Sequence, residues 1–338
     1  MPKTIPVKEA LETEAIFIDT RTPKEFQEDH LPKAINLPIL SNEERHLVGI
    51  TYKQVSQEKA LEQGISYFSK KLPEFMKEVG RYKDQKIIFY CWRGGLRSRA
   101  VTALLDSLGY DVLQLQGGYK YFRNYVRESL ENYQLKAKLM VLWGLTCTGK
   151  TELLNQFPNC LDLEGLAQHR GSLYGAVGLT PVSQKRFENL LWQRLEQLKR
   201  EEIIIIEGES RKIGRVQIPL FLYQRMLQGK HILITWSLDN RAEYAVKSYF
   251  KDDASLLQIK EITNALPRLL SPKQKQKIIE LIDQRQLKEA AKMLLELYYD
   301  PLYNHTLRQL DFSAEINNDQ PVPAAKKLAL LMKDQVRA

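Results

Sequence analysis

Along the first 130 residues, short apolar runs alternate with stretches of helical spacing. "AIFIDTR" reads as a strand ending at Asp19, and "TPKEFQEDHLPKAINLPI" as a short helix, a turn and the start of a second strand. "ISYFSKKLPEFMKEVG" has helical spacing and is expected to stop at Gly80 as a C-cap. "QKIIFYC" is a strand, "SRAVTALLDSLGY" an amphipathic helix with a glycine stop at Gly109, and "DVLQLQGGY" a strand and turn. This order predicts a small parallel sheet with covering helices. "YFRNYVRESLENYQ" reads as a helical connector, and a second α/β unit opens with the strand "LMVLW". "SQKRFENLLWQRLEQLKR" is a long amphipathic helix, and "EIIIIEGES" and "HILITWSL" are buried strands. From about Leu256 the pattern turns almost wholly helical, through "SPKQKQKIIELIDQRQLKEAAKMLLELYY". The fold class is α/β in two domains. The boundaries are 1–128 for a small parallel-sheet domain, 129–138 for the connector, 139–255 for the second α/β domain and 256–338 for a helical region packing on it.

Length and composition fit this division. The chain has 338 residues, 43% of them hydrophobic, enough for two packed cores. No apolar run is long enough to cross a bilayer, and the polar N-terminus lacks a signal-peptide pattern, so a soluble, cytoplasmic protein is expected. The three cysteines, Cys91, Cys147 and Cys160, have neither CxxC nor zinc spacing. No metal ligand set follows from them. The formal net charge of +9, from Lys+Arg 50 against Asp+Glu 41, suits a polyanionic partner without requiring one.

Two stretches carry chemistry. In "YCWRGGLRSRA" a strand ends at Cys91, a glycine-rich turn follows, and a helix begins near Arg97. Successive backbone N–H groups in such a turn form an anion nest, to which the helix N-terminus adds its own. Gly94 and Gly95 let the backbone bend, Arg93 and Arg97 add positive charge, and Ser98 completes the loop. A cysteine in that field is expected as thiolate, the nucleophilic form. A buried structural cysteine at a strand end is the competing reading. In "GLTCTGKT", Gly144, Thr146, Thr148, Gly149, Lys150 and Thr151 fit G-x-x-x-x-G-K-T between a strand and a helix. Loop amides would cradle phosphate oxygens, Lys150 would neutralise them, and Thr151 could hold Mg²⁺. On its own this loop suits ATP or GTP as well as any other diphosphate. Cys147 reads as a tolerated small residue and Cys160 as core.

A second tier of candidates surrounds that loop. Glu207 and Glu209, after the "IIII" strand, are placed for Mg²⁺ or for a solvated turn. Glu164, His169, Arg170 and Ser172 in "LEGLAQHRGSLYG" look like a substrate-facing loop, and Arg211 in "ESRKIG" adds a cation beside the acidic pair.

"FIDTRTPKEFQEDHLPKAINLPI" resembles the opening half of a rhodanese domain, with Asp19, Arg21, Glu25, Phe26, His30, Ala34, Asn36 and Pro38 on its pattern, and "LQGGYKYFR" resembles its closing segment. That resemblance covers residues 5–130 and implies a loop cysteine carrying sulfur or selenium. One departure stands out: Arg97 follows Cys91 by six positions, where ordinary rhodaneses have five. Cys-x5-Arg is also the spacing of cysteine-dependent phosphatases, so a phosphatase or sulfurtransferase fused to a nucleotide-binding, kinase-like domain remains an alternative. A non-enzymatic, basic nucleic-acid-binding regulator is a third reading, against which the intact Cys91 and Lys150 argue.

A rhodanese segment followed by a P-loop, with "DLEGLAQHRGS", "EGESRKIG", "LVGITYKQVSQEKALEQG" and "YYDPLYNH", resembles the bacterial tRNA 2-selenouridine synthase family over nearly the whole chain. The resemblance implies a transferase acting on tRNA with 2-thiouridine at the wobble position. It implies an S-geranylated intermediate made from geranyl diphosphate at the P-loop, and selenium from selenophosphate carried on Cys91 as selanyl-cysteine. Selenophosphate and geranyl diphosphate are then co-substrates, with no tightly bound cofactor and a monomer favoured. Tyr52, Trp92 and Tyr174 are candidates to stack on an unpaired anticodon base.

Overall fold

The computed structural model describes residues 2–266 and 269–337. The chain forms two compact units, Met1–Asn132 and Tyr133–Ala338. In the first, β1 (Thr4–Ile5), β2 (Ile16–Asp19), β3 (Ile35–Asn36), β4 (Ile87–Tyr90) and β5 (Val112–Leu115) make one sheet in the order β1-β5-β4-β2-β3. Every pairing in it is parallel. All four residues of β4 are buried, as expected of a parallel strand covered on both faces. Ile18, Ile87, Phe89, Val101 and Leu105 form part of the core between this sheet and the helix Leu96–Ser107.

Helix boundaries follow local chemistry. Thr22 and Glu25 form a capping box at the helix Pro23–Glu28, as do Ser41 and Glu44 at Asn42–Gln54. Gly109 lies at φ +83°, Gly109 N–H donates to Asp106 and Tyr110 N–H to Leu105, which ends the helix Leu96–Ser107 in a Schellman turn. Gly80 does not play the part expected of it. It is the last residue of the helix Gln57–Gly80, which runs through Pro73, and the cap is Arg81 in helical conformation. The segment expected to be a connector also divides. The helix Gly118–Glu131 buries Tyr119, Phe122, Val126 and Leu130 in the first unit, and residues 133–137 are not helical.

In the second unit, β6 (Lys138–Trp143), β7 (Cys160–Leu161), β8 (Ile203–Glu207), β11 (Lys230–Thr235) and β12 (Ala314–Asn317) pair in parallel in the order β12-β11-β6-β8-β7. Between β8 and β11, β9 (Lys212–Ile213) and β10 (Val216–Gln217) form an antiparallel hairpin. The C-terminal region is therefore not wholly helical. β12 extends the sheet beyond β11, and the helix Pro321–Arg337 returns over it with Ala324 and Leu328 in the core. The remaining C-terminal helices form a second cluster with the helix Leu238–Tyr249, including Ala245, Tyr249, Ala291, Leu294 and Tyr299. Among the described residues no helix is long and apolar enough to cross a membrane.

One buried ion pair anchors the first unit. Arg21 and Asp19 are almost wholly enclosed, with Nη2 2.7 Å from Asp19 Oδ2 and donating also to the Asp29 carbonyl. The guanidinium lies 3.9 Å from the Tyr119 ring centroid, and Tyr119 donates to Asp29 Oδ2 at 2.7 Å. Removing one partner leaves the other charge buried and unpaired. Arg21→Met should therefore cost about 3–5 kcal/mol. Urea unfolding of the variant, followed by near-ultraviolet circular dichroism, measures this; an unchanged midpoint would show the pair to be dispensable.

Candidate functional site

Cys91 follows β4 at the C-terminal edge of the first sheet, where loops of parallel α/β sheets collect ligands. Its sulfur accepts from Gly95 N–H and from Ser98 Oγ, both at 3.2 Å. Gln114, on the neighbouring strand β5, donates to Ser98 Oγ and to the Gly94 carbonyl, both at 2.9 Å, and so fixes the loop from below. The turn after β5 is stitched beneath it: Tyr119 N–H donates to the Cys91 carbonyl at 2.8 Å and Lys120 N–H to that of Trp92 at 2.9 Å. A Cβ at Gly118 would lie 2.3 Å from the Cys91 carbonyl oxygen and 2.5 Å from Gly94 N, so only glycine fits. The helix Leu96–Ser107 starts from Gly95 with no side-chain cap, leaving its N-terminal end to the loop.

The structure thus gathers Cys91, Gly94, Gly95, Arg97 and Ser98. Arg97 also contacts Glu25, with Nη1 2.9 Å from Oε2. Burial pushes Glu25 up, but the Arg97 guanidinium outweighs it and leaves the carboxyl below its usual range. Arg93 is exposed. Trp92 packs against Tyr119, with ring centroids 5.3 Å apart.

The second loop follows β6, the middle strand of its sheet. A Cβ at Gly149 would sit 2.4 Å from Asn318 Nδ2, so the tight turn there needs glycine. Lys150 folds back across the loop and donates to the Gly144 and Leu145 carbonyls at 3.0 and 3.1 Å. Thr151 donates to Glu207 Oε1 at 2.7 Å, and Glu164 N–H donates to Glu207 Oε2 at 3.1 Å. Thr146 to Thr151 open onto a cavity of about 210 Å³, with Glu164, Arg170, Glu209, Tyr249 and Tyr303 also on its wall.

Carboxylates dominate one side of that cavity. Burial pushes Glu209 up to about 7 against the pull of Lys150. Burial, then the Glu209 charge, holds Glu164 well above the usual carboxylate range; burial, then Glu164, does the same for Glu207. Like charges crowded at low dielectric resist ionising together.

The other second-tier residues separate. Arg170 lines the cavity but spends its guanidinium on the Val177 and Ser248 carbonyls and lies 4.5 Å over the Tyr249 ring. Ser172 pairs with the Tyr299 hydroxyl at 3.0 Å. His169 is buried away from the cavity wall, its ring filling the space where a Cβ at Gly175 or Gly214 would sit. Arg211 is exposed outside the cavity. Tyr174 is buried and bonded to Thr263, which removes it as a base-stacking side chain, whereas Tyr52 is exposed.

Sequence reasoning missed three supports of the loop. Arg241 donates to the Thr146 carbonyl at 2.9 Å and pairs through both terminal nitrogens with Asp300. Asn318, just after β12, donates to the Thr148 carbonyl at 3.0 Å. Tyr244 hydrogen-bonds Glu152. Arg241 sits on an amphipathic helix where nothing local marks it, and Asn318 follows a strand that the sequence pattern did not reveal.

Cys147 lies inside the second loop at φ +65°. Burial pushes its thiol up to about 12. The reactive thiolate is then scarce near neutral pH. Iodoacetamide at pH 8 should alkylate Cys147, half-buried on the cavity wall, much more slowly in the native protein than in urea, read by peptide mass spectrometry. Equal labelling rates in both states would contradict the raised thiol pKa.

Comparison with known proteins adds to this geometry. Residues 6–125 match the rhodanese-like domain family, and residues 137–268 match the family described as tRNA 2-selenouridine synthase AAA domain. The tRNA 2-selenouridine synthase of Marinobacter nauticus is 32% identical over 87% of this chain and 88% of its own. That of Pseudomonas syringae pv. tomato is 31% identical over 88% and 91%. Among solved structures, the N-terminal domain of a Clostridium difficile 630 protein is 40% identical, covering 37% of this chain and 98% of its own, with a TM-score of 0.36.

Proposed function

The chain belongs to the tRNA 2-selenouridine synthase family, and from that membership we propose that it exchanges sulfur for selenium at a 2-thiouridine of tRNA, working from its two anion loops in turn. In the first step the uridine sulfur attacks C1 of geranyl diphosphate held at the second loop. The S–C1 bond forms, the C1–O bond breaks, diphosphate leaves and the uridine N3 proton is lost. Lys150 and the loop amides stabilise the charge that develops on the leaving group. In the second step the Cys91 thiolate attacks C2 of the base, the C2–S bond to the geranyl sulfur breaks and geranylthiol leaves; the selenium of selenophosphate then displaces Cys91 from C2, and water cleaves the P–Se bond, releasing phosphate. Gly95 N–H and Ser98 Oγ, already directed at the sulfur, would hold the Cys91 nucleophile in place.

The observation that favours a prenyl diphosphate over a nucleotide lies behind the second loop. Thr146, Cys147 and Tyr249 line the phosphate-side cavity and also a second, almost wholly apolar cleft, completed by Tyr174, Ala245, Ala291, Leu294 and Tyr299 among others. A diphosphate head and a hydrocarbon tail would meet matching surfaces on the two sides of one loop. The cleft is narrow, about 20 Å³, so a ten-carbon chain requires these side chains to part. Mg²⁺ would neutralise the diphosphate when bound. Among the described residues no group of three or more His, Cys, Asp or Glu is arranged to hold a metal by itself, so the ion would arrive with the phosphates and meet Thr151 and Glu207.

Two variants separate the steps. Cys91→Ala should abolish selenium incorporation while S-geranylated tRNA persists, and Lys150→Ala should stop geranylation. Mass spectrometry of nucleosides from 2-thiouridine tRNA incubated with geranyl diphosphate and selenophosphate reads both. Geranylated product at the wild-type level in Lys150→Ala would overturn the assignment.

The apolar cleft has its own test. Ala291→Leu should weaken geranyl diphosphate about tenfold through overpacking. Inorganic diphosphate should bind as before. Calorimetric titration with each ligand distinguishes the cleft from a general loss of fold.

A further inference from the structure

The hairpin β9–β10 is not explained by phosphate binding in the cavity. It begins three residues after Glu209, which lines the cavity wall, and it stands in the turn between β8 and the helix Leu220–Leu227. Its residues alternate as a half-buried ribbon must. Ile213 and Val216 point inward and are buried, as is Ile218 just beyond, while Lys212, Arg215 and Gln217 are exposed. Arg211, immediately before the hairpin, is exposed as well. Arg211, Lys212 and Arg215 form no ion pair among the described residues, although many other cations of this unit do.

The ribbon is held rigidly for its size. The His169 ring fits under the turn, so that a Cβ at Gly214 would lie 2.6 Å from it, and His169 N–H donates to the Glu164 carbonyl. The turn is thereby tied to the loop that supplies a cavity carboxylate. On the far strand, Gln217 N–H donates to Gln184 Oε1 at 2.7 Å and Gln184 Nε2 donates to the Gln217 carbonyl at 3.0 Å. Ser210 donates to the Lys212 carbonyl at 2.8 Å, and Ile218 N–H to that of Arg211 at 2.9 Å. Three uncompensated cations are thus presented from a fixed scaffold beside a cavity whose opposite character is acidic. A small phosphate ligand would be served inside the cavity by Lys150 and the loop amides. Cations outside it suit a polyanion too large to enter.

We propose that the hairpin Lys212–Gln217, with Arg211, is a docking arm for the RNA backbone: Arg211, Lys212 and Arg215 contact successive phosphates flanking the nucleotide presented to the cavity. This rests on the tRNA reading above and adds where the RNA is gripped. The contacts carry register and affinity but no sequence information. His169, which the sequence suggested as substrate-facing, becomes a positioning residue that holds the arm's turn.

Each phosphate contact adds about 0.7–0.9 to the slope of log affinity against log salt. The test measures tRNA binding to the full chain by filter retention from 50 to 300 mM KCl. The proteins compared are the unsubstituted chain, the triple variant Arg211→Ala, Lys212→Ala, Arg215→Ala, and a control triple of exposed lysines, Lys273→Ala, Lys277→Ala, Lys326→Ala. The hairpin variant should lose about two units of slope and bind at least tenfold more weakly at 100 mM KCl, with geranyl diphosphate affinity and unfolding midpoint unchanged. The control triple should change the slope by less than half a unit. Equal losses in both triples, or an unchanged slope in the hairpin variant, would overturn the arm while leaving the tRNA reading intact. Salt-independent or absent binding by the unsubstituted chain would overturn the tRNA reading itself, and the arm with it.

Discussion

The constraint on which both loops depend is the sharp backbone turn at the C-terminal end of a middle parallel strand. A strand covered on both faces can offer a ligand only its end, and there the chain must turn at once. The turn converges amides on a small volume, but only if neighbouring backbone approaches closely enough to hold it. At Cys91 that support is the Gly117–Gly118 turn, with Gly118 against the Cys91 carbonyl and Tyr119 bonded to it. At the second loop the support is Asn318 against Gly149 and Arg241 on the Thr146 carbonyl. In each case the glycine whose Cβ would collide is the residue that permits the geometry, and the bonds around it keep the loop from relaxing.

The two loops use this geometry in opposite electrostatic settings. Around Cys91 the sulfur meets donors, and the nearby Glu25 carboxylate is matched by Arg97. Around the second loop Lys150, with Arg170 on the same wall, faces Glu164 and Glu209, which burial and the crowding with Glu207 push toward their neutral forms. A highly charged ligand entering the second cavity meets a lysine whose nearest acidic neighbours resist ionisation, so their repulsion is smaller than the residue count suggests. The same unit also places three cations, unpaired among the described residues, outside the cavity, on the hairpin, away from these carboxylates.

Much of this was legible in the sequence because it is local. The strand ending at Asp19, the buried "IIII" run, the helix stop at Gly109 and the loop "GLTCTGKT" each carry their signal within a dozen residues. The failures have physical causes. Ala314–Asn317 is a four-residue edge strand whose alternation, Ala314 and Ile316 inward and Glu315 and Asn317 outward, is too short to stand out, and its partner β11 lies some eighty residues earlier. Gly80 has the composition of a cap but not the conformation, since a glycine can equally end a helix without leaving it. His169 was grouped with substrate-facing residues by proximity in sequence, and only the three-dimensional position of Gly214 shows what its ring packs against.

Arg241 shows why the C-terminal helices matter to the chemistry. Its guanidinium is held by Asp300, which lies at the start of the helix Asp300–Leu307 and directly after the π-helical turn Leu295–Tyr299. That turn inserts one extra residue per hydrogen-bonded loop, which brings Tyr298 and Tyr299 in succession into the buried cluster and still delivers Asp300 to Arg241. The C-terminal helices therefore do two things through one distortion: they close the apolar side of the second loop with tyrosines, and they fix the Thr146 carbonyl through a paired arginine. An α-helix turns about 100° per residue and the π-turn less, so regular winding over Leu295–Tyr299 would carry Asp300 away from Arg241 or the tyrosines away from the cleft. The "YYDPLYNH" stretch is thus accounted for by geometry: the tyrosines and the aspartate have to face one side of an irregular helix together.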